Sequence, residues 1–152
     1  MTRAVSTVVD ASLAVLLVSA AAVALVAVPV DDQRPPDPAA AATTVLASTA
    51  TATYQADGGE QRTVTGGTGT LLAHAAVAER DDTDQRFVAA VEDATADVLA
   101  RSDTPVAVVA AAGGATVRAG ERPPPSASVA AVSREIAVEN DSVTVTVRTW
   151  SQ

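Results

Sequence analysis

Cysteine is absent from the 152 residues, so the chain forms no disulfide and offers no thiolate to a metal. Lysine is absent too: all ten basic residues are arginine, against eighteen Asp and Glu, for a net charge of −8. A surface of that sign repels phosphate backbones, and the arginines are scattered through the sequence, which argues against a nucleic-acid partner. Phe, Tyr, Trp and Met occur once each although 48% of the residues are hydrophobic. Any core must therefore be built from Ala and Val, whose small side chains bury less area per residue than Leu or Phe.

Long apolar runs are also scarce, with one exception. Ala11 to Val30 holds twenty uncharged residues: seven Ala, six Val, four Leu, two Ser and Pro29. Wound as a helix at 1.5 Å per residue, such a run spans about 30 Å, the hydrocarbon thickness of a bilayer. The expectation is a transmembrane helix over residues 5–30, in contact with membrane lipid. Arg3 and the α-amine precede the run, and Asp31 and Asp32 follow it. That bias leaves the N-terminus in the cytoplasm and the C-terminal part outside the cell. The competing reading is a removable secretory signal, with Arg3 as its basic end and Ala22-Val23-Ala24 as the small-x-small cleavage site.

The residues before the run, Arg3-Ala4-Val5-Ser6-Thr7-Val8-Val9-Asp10, resemble the signal of archaeal type IV pilin-like proteins and TadE-like minor pilins. In those families a short basic leader ends in Arg-Gly or Arg-Ala, and the apolar helix after the cut is kept. The resemblance implies a leader of residues 1–4, with cleavage between Ala4 and Val5. It also sets Asp10 near the acidic position used for subunit docking in bacterial pilins. Here Asp10 is sixth after the cut, where the bacterial residue is fifth. The implied partners are other pilin-like subunits and a pilus or secretion assembly platform. The lysine-free, acidic, Ala/Val/Thr-rich composition likewise resembles proteins of salt-loving archaea, including uncharacterised families akin to minor pilins. From the residues themselves, Asp10 would equally serve as a helix N-terminal carboxylate facing unpaired N–H groups. Ala20, Ala24 and Ala27 present small residues one turn apart, a surface on which a neighbouring helix can pack closely.

Beyond the run, residues 31–40 contain Pro35, Pro36 and Pro38 and read as an extended, semi-rigid linker. The remainder, 41–152, reads as one extracellular α+β domain: two helices packed on an antiparallel sheet. Thr43 to Gln55 alternates Thr with Ala in strand fashion and returns through Gln61 to Thr65. Gly66-Gly67-Thr68-Gly69-Thr70 reads as a flexible connection rather than a phosphate loop, because it lacks the Gly-Lys-Ser/Thr ending. Leu71 to Glu79 reads as a helix. A second helix, Asp84 to Arg101, carries Phe87, Val88, Val91, Thr95, Val98 and Leu99 on one face. Strands are expected at Pro105 to Ala112, Ala115 to Ala119, Ala127 to Val138 and from Val143 onward, with Trp150 against the edge of the core.

Candidate chemistry is sparse. His74 is the single histidine, so a zinc site would lack its other ligands. Asp81, Asp82 and Asp84 lack the central Gly and distal Glu of a calcium loop, and read as N-capping carboxylates. Asn140-Asp141-Ser142 is an N-glycosylation sequon in an expected hairpin turn. No residue set calls for a catalytic role, a metal or a cofactor. The expectation is a non-catalytic, single-pass surface protein: a pilin-like subunit, or a tethered or secreted binding module with no filament role.

Overall fold

A computed structural model describes residues 34–151, all within one unit, Gln33–Gln152. The first helix, α1 (Pro38–Ala47), opens inside the segment expected to be an extended linker. Asp37 caps it, its carboxylate accepting the Ala39 N–H at 2.9 Å, and Pro38 occupies the first helical position. A proline there loses no hydrogen bond and brings a φ already suited to the helix. Four alanines follow, and the hydroxyls of Thr43 and Thr44 donate back to the Ala39 and Ala40 carbonyls at 2.9 and 3.2 Å. The strand expected from Thr43 therefore starts only at Thr49.

A hairpin comes next, β1 (Thr49–Gln55) antiparallel to β2 (Gln61–Gly67). Its period of two is real: Ala50 and Ala52 are buried, while Thr51 and Thr53 face solvent. Their hydroxyls pair with those of Thr65 and Thr63 at 3.0 and 3.1 Å. Residues 66–70 are no flexible connection. Gly66 and Gly67 end β2, and Thr68 starts α2 (Thr68–Arg80) without an intervening loop. Two features hold this junction. The Thr68 N–H and hydroxyl both donate to the Ser48 carbonyl, at 2.8 and 2.9 Å. Gly69 fits where a Cβ would stand 3.0 Å from Ile136 Cδ1 and 3.3 Å from Leu46 Cβ.

After the Asp81–Asp84 loop runs α3 (Gln85–Leu99), capped by Asp84, whose carboxylate accepts the Phe87 N–H at 3.2 Å. The stripe expected for this helix buries Val88, Val91, Thr95 and Leu99, with Phe87 and Val98 half-buried. Four strands follow: β3 (Val106–Ala112), β4 (Ala115–Gly120), β5 (Val129–Val138) and β6 (Asp141–Trp150). They form an antiparallel sheet in the order β4-β3-β6-β5. One face carries Val108, Ala110, Val117, Val143, Val145 and Val147, all fully buried beneath the helices. Because these side chains are small, helix and sheet backbones approach closely, and the core is made of many modest contacts.

The fold is thus α+β, with three helices rather than two, and with the β1–β2 hairpin as a separate two-stranded sheet packed along α3. One border of the larger sheet, β4, has a backbone group engaged by a helix side chain. Glu92 of α3 accepts the outward N–H of Arg118 on β4 at 3.2 Å, which satisfies a backbone group that an edge strand otherwise leaves open. The other border, β5, is largely exposed. Among the described residues, no helix is long and apolar enough to cross a membrane. The run from Ala11 to Val30 lies outside the described residues.

Candidate functional site

Tyr54, Phe87 and His74 are the chain's single Tyr, Phe and His, and all three line one cavity of about 310 Å³ with Val64, Leu71 and Asp84. Each arrives by a different route. Tyr54 continues the inward row of Ala50 and Ala52 along β1. Phe87 stands in the first turn of α3, where the Asp84 cap fixes its backbone. His74 lies one turn after Leu71 on α2 and is exposed. The Tyr54 and Phe87 rings sit 5.4 Å apart at 56°, a tilted pair of the kind favoured by the ring quadrupole.

The result is a shallow apolar cup with a phenol, an imidazole and a carboxylate at its rim. Asp84 is already engaged by the Phe87 N–H, and among the described residues His74 makes no hydrogen bond to a serine or a carboxylate. The arrangement suits binding of a small apolar or aromatic group by its walls, with the rim setting orientation. It holds no nucleophile with a base beside it.

The acidic run behaves mainly as structure. Asp81 ends α2, Asp84 begins α3, and no metal-holding cluster forms among the described residues. Arg80 organises this end of the molecule. Its Nη1 and Nη2 donate to the two carboxylate oxygens of Asp141 at 2.7 and 3.1 Å, and its Nε donates to Asp81 at 2.8 Å. The forked pair ties the last turn of α2 to the first residue of β6. The guanidinium holds both the Asp141 and Asp81 carboxyls below the usual carboxylate range, chiefly by hydrogen bonding. The same bonds push the Arg80 pKa further up.

Asn140 is exposed in the two-residue turn between β5 and β6, as the sequon required. Its neighbour Glu139 takes the left-handed φ of +52°. The other residues singled out from the sequence (Ala4, Val5, Asp10, Ala20, Ala24 and Ala27) lie outside the described residues. The aromatic cup was not anticipated. The only signals for it were that Tyr, Phe and His are each used once, and that Tyr54 and Phe87 fell near predicted element ends.

These features define a small acidic α+β domain, three helices on one face of an antiparallel sheet, that follows an apolar segment. The chain belongs to a family of unknown function, DUF7284, whose match covers residues 9–140. No curated protein matches the chain, and no solved structure does.

Proposed function

We propose that this protein is a single-pass, membrane-anchored, pilin-like subunit or accessory protein of an archaeal cell-surface pilus or secretion assembly, with no catalytic role. The observation that carries the proposal is the twenty-residue uncharged run from Ala11 to Val30, flanked by Arg3 on one side and by Asp31 and Asp32 on the other. The family match starts at residue 9 and takes in both this run and most of the domain, which supports treating them as one functional unit. In this reading Ala4 and Val5 flank the leader cut, Asp10 contacts a neighbouring subunit, and Ala20, Ala24 and Ala27 pack against its helix. The domain is held outside the cell, where Asn140 is open to glycosylation.

The test is the N-terminal residue of the mature protein, read by intact mass and terminal sequencing of material from its native membrane. A start at Val5 supports the pilin-like reading. A start near Leu25 means a secreted protein, and an intact N-terminus means a plain anchor; either outcome removes the leader cut.

The cup formed by Tyr54, Phe87 and His74 favours a second reading, a membrane-tethered binding module without a filament role. Aromatic NMR signals of Tyr54 and Phe87 that move saturably with one small ligand, on a protein that never enters filaments, would select it.

A further inference from the structure

The face of the four-stranded sheet turned away from the helices holds a second cleft, of about 550 Å³. Its floor includes Ala107 and Val109 of β3, and its wall is the loop carrying Pro123, Pro124 and Pro125. Arg118, Arg122 and Arg148 line it together. The sheet register explains two of them. Arg118 of β4 pairs with Val109, and Arg148 of β6 pairs with Ala107, so the two arginines flank β3 on the same face. At about 4.8 Å per strand and about 3.4 Å per residue, and with the two positions staggered by two residues along β3, their backbones stand roughly 12 Å apart across small side chains that leave room between them. Arg122 comes from the loop just beyond β4.

Among the described residues none of these three guanidinium groups forms an ion pair or donates a side-chain hydrogen bond, and Arg34 and Arg101 are likewise unengaged; the arginines so engaged are Arg62, Arg80, Arg86 and Arg134. One carboxylate, Glu121, also lines the cleft without pairing to them. The cleft therefore keeps an excess of positive charge within an acidic molecule. Three cations around one hollow repel one another until an anion enters. The planar guanidinium fork matches a carboxylate, sulfate or phosphate edge, two N–H groups to two oxygens.

We propose that this cleft binds a small multivalent oxyanion, a ligand with at least two carboxylate, sulfate or phosphate groups that bridges Arg118 and Arg148 with Arg122 closing over it. The separation of the two sheet arginines selects a bridging ligand over a monovalent ion. The inference stands on the domain alone and is independent of how the N-terminus is processed.

The experiment uses the full-length chain in nanodiscs, with arginine Nε–Hε resonances followed by NMR at constant ionic strength. The probes are citrate, pyrophosphate and malonate, with acetate as the monovalent comparison. At least one multivalent probe is expected to move the Arg118, Arg122 and Arg148 signals along one saturable curve that acetate does not reproduce. Arg148→Gln should weaken that probe about tenfold, the equivalent of about 1.4 kcal/mol, whereas Arg62→Gln, on the distant hairpin, should leave it unchanged. Retained dispersion of the remaining amide signals shows that each variant is folded. Nanodiscs of neutral and of anionic lipid separate two sources of the same chemistry. Equal probe binding in both identifies a free ligand; probe binding in neutral discs that anionic discs suppress identifies a lipid headgroup. Either result supports the site. Should none of the three probes saturate in neutral discs, or should Arg62→Gln weaken binding as much as Arg148→Gln, the proposal falls.

Discussion

Replacing Thr95 with valine should make this protein more stable. Three polar residues are buried in the described domain: Thr68, Thr95 and Thr149. Thr68 donates to the Ser48 carbonyl and Thr149 to that of Pro36. Thr95 lies on the buried stripe of α3, and its hydroxyl has no hydrogen-bond partner. Leaving a buried hydroxyl unmatched costs about 1–3 kcal/mol relative to its hydrated state in the unfolded chain. Valine keeps the shape, exchanges the hydroxyl for a methyl, and has nearly the same helix propensity. The expected gain is about 1–2 kcal/mol, or roughly 3–8 °C in Tm for a unit of this size. Two companions check the cause. Thr95→Ser keeps the hydroxyl and deletes the methyl, so it should lose about 1 kcal/mol. Thr95→Ala deletes both groups and should fall between the other two. Urea unfolding of the full-length chain in detergent reports all of this through the fluorescence of Trp150, the single tryptophan, which is 3% exposed. A valine variant no more stable than the parent would refute the reasoning, because it would mean that the hydroxyl is satisfied in the folded protein.

Gly69→Ala should change stability by less than about 1 kcal/mol, since the helix gain offsets a displacement that the flexible end of Ile136 can absorb. Gly69→Val should lose about 1–3 kcal/mol by forcing Leu46 aside, as denaturation midpoints would register. The Asp141 and Asp81 carboxyls are depressed by Arg80, so their stabilisation is complete above about pH 4 and is lost as pH falls through the lower folded-state values. Asp141→Asn should therefore lower Tm at pH 7 and flatten the decline of Tm below pH 4. Glu139→Gly should raise stability by about 1 kcal/mol, by relieving a left-handed backbone that a side chain disfavours; thermal unfolding would detect it.

Much of the domain was legible because its signals were periodic. The three-and-four spacing from Phe87 to Leu99 and the alternation of Val143, Val145 and Val147 each determined a buried face without reference to anything distant. Misreadings arose where a residue plays two roles. Pro38 looked like part of a stalk, but a proline one residue after Asp37 is also a good first helical residue. Thr43 and Thr44 looked like strand, but their hydroxyls bond back into α1. Gly66 to Gly69 looked mobile because close packing against Leu46 and Ile136 is a tertiary fact that no local pattern records. Both clefts were invisible for the same reason. Arg118 and Arg148 are thirty residues apart in sequence and meet only through the strand order, in which β6 inserts beside β3. Tyr54 and Phe87 meet only because the hairpin folds along α3.

The unequal borders of the larger sheet limit how copies can combine by backbone pairing. Glu92 occupies one outward N–H of the β4 rim, whereas the β5 rim is largely exposed and carries Val129, the one large apolar side chain left exposed among the described residues. Ribbon-like growth through this sheet would have to displace the Glu92 contact at β4, which favours association through the β5 side.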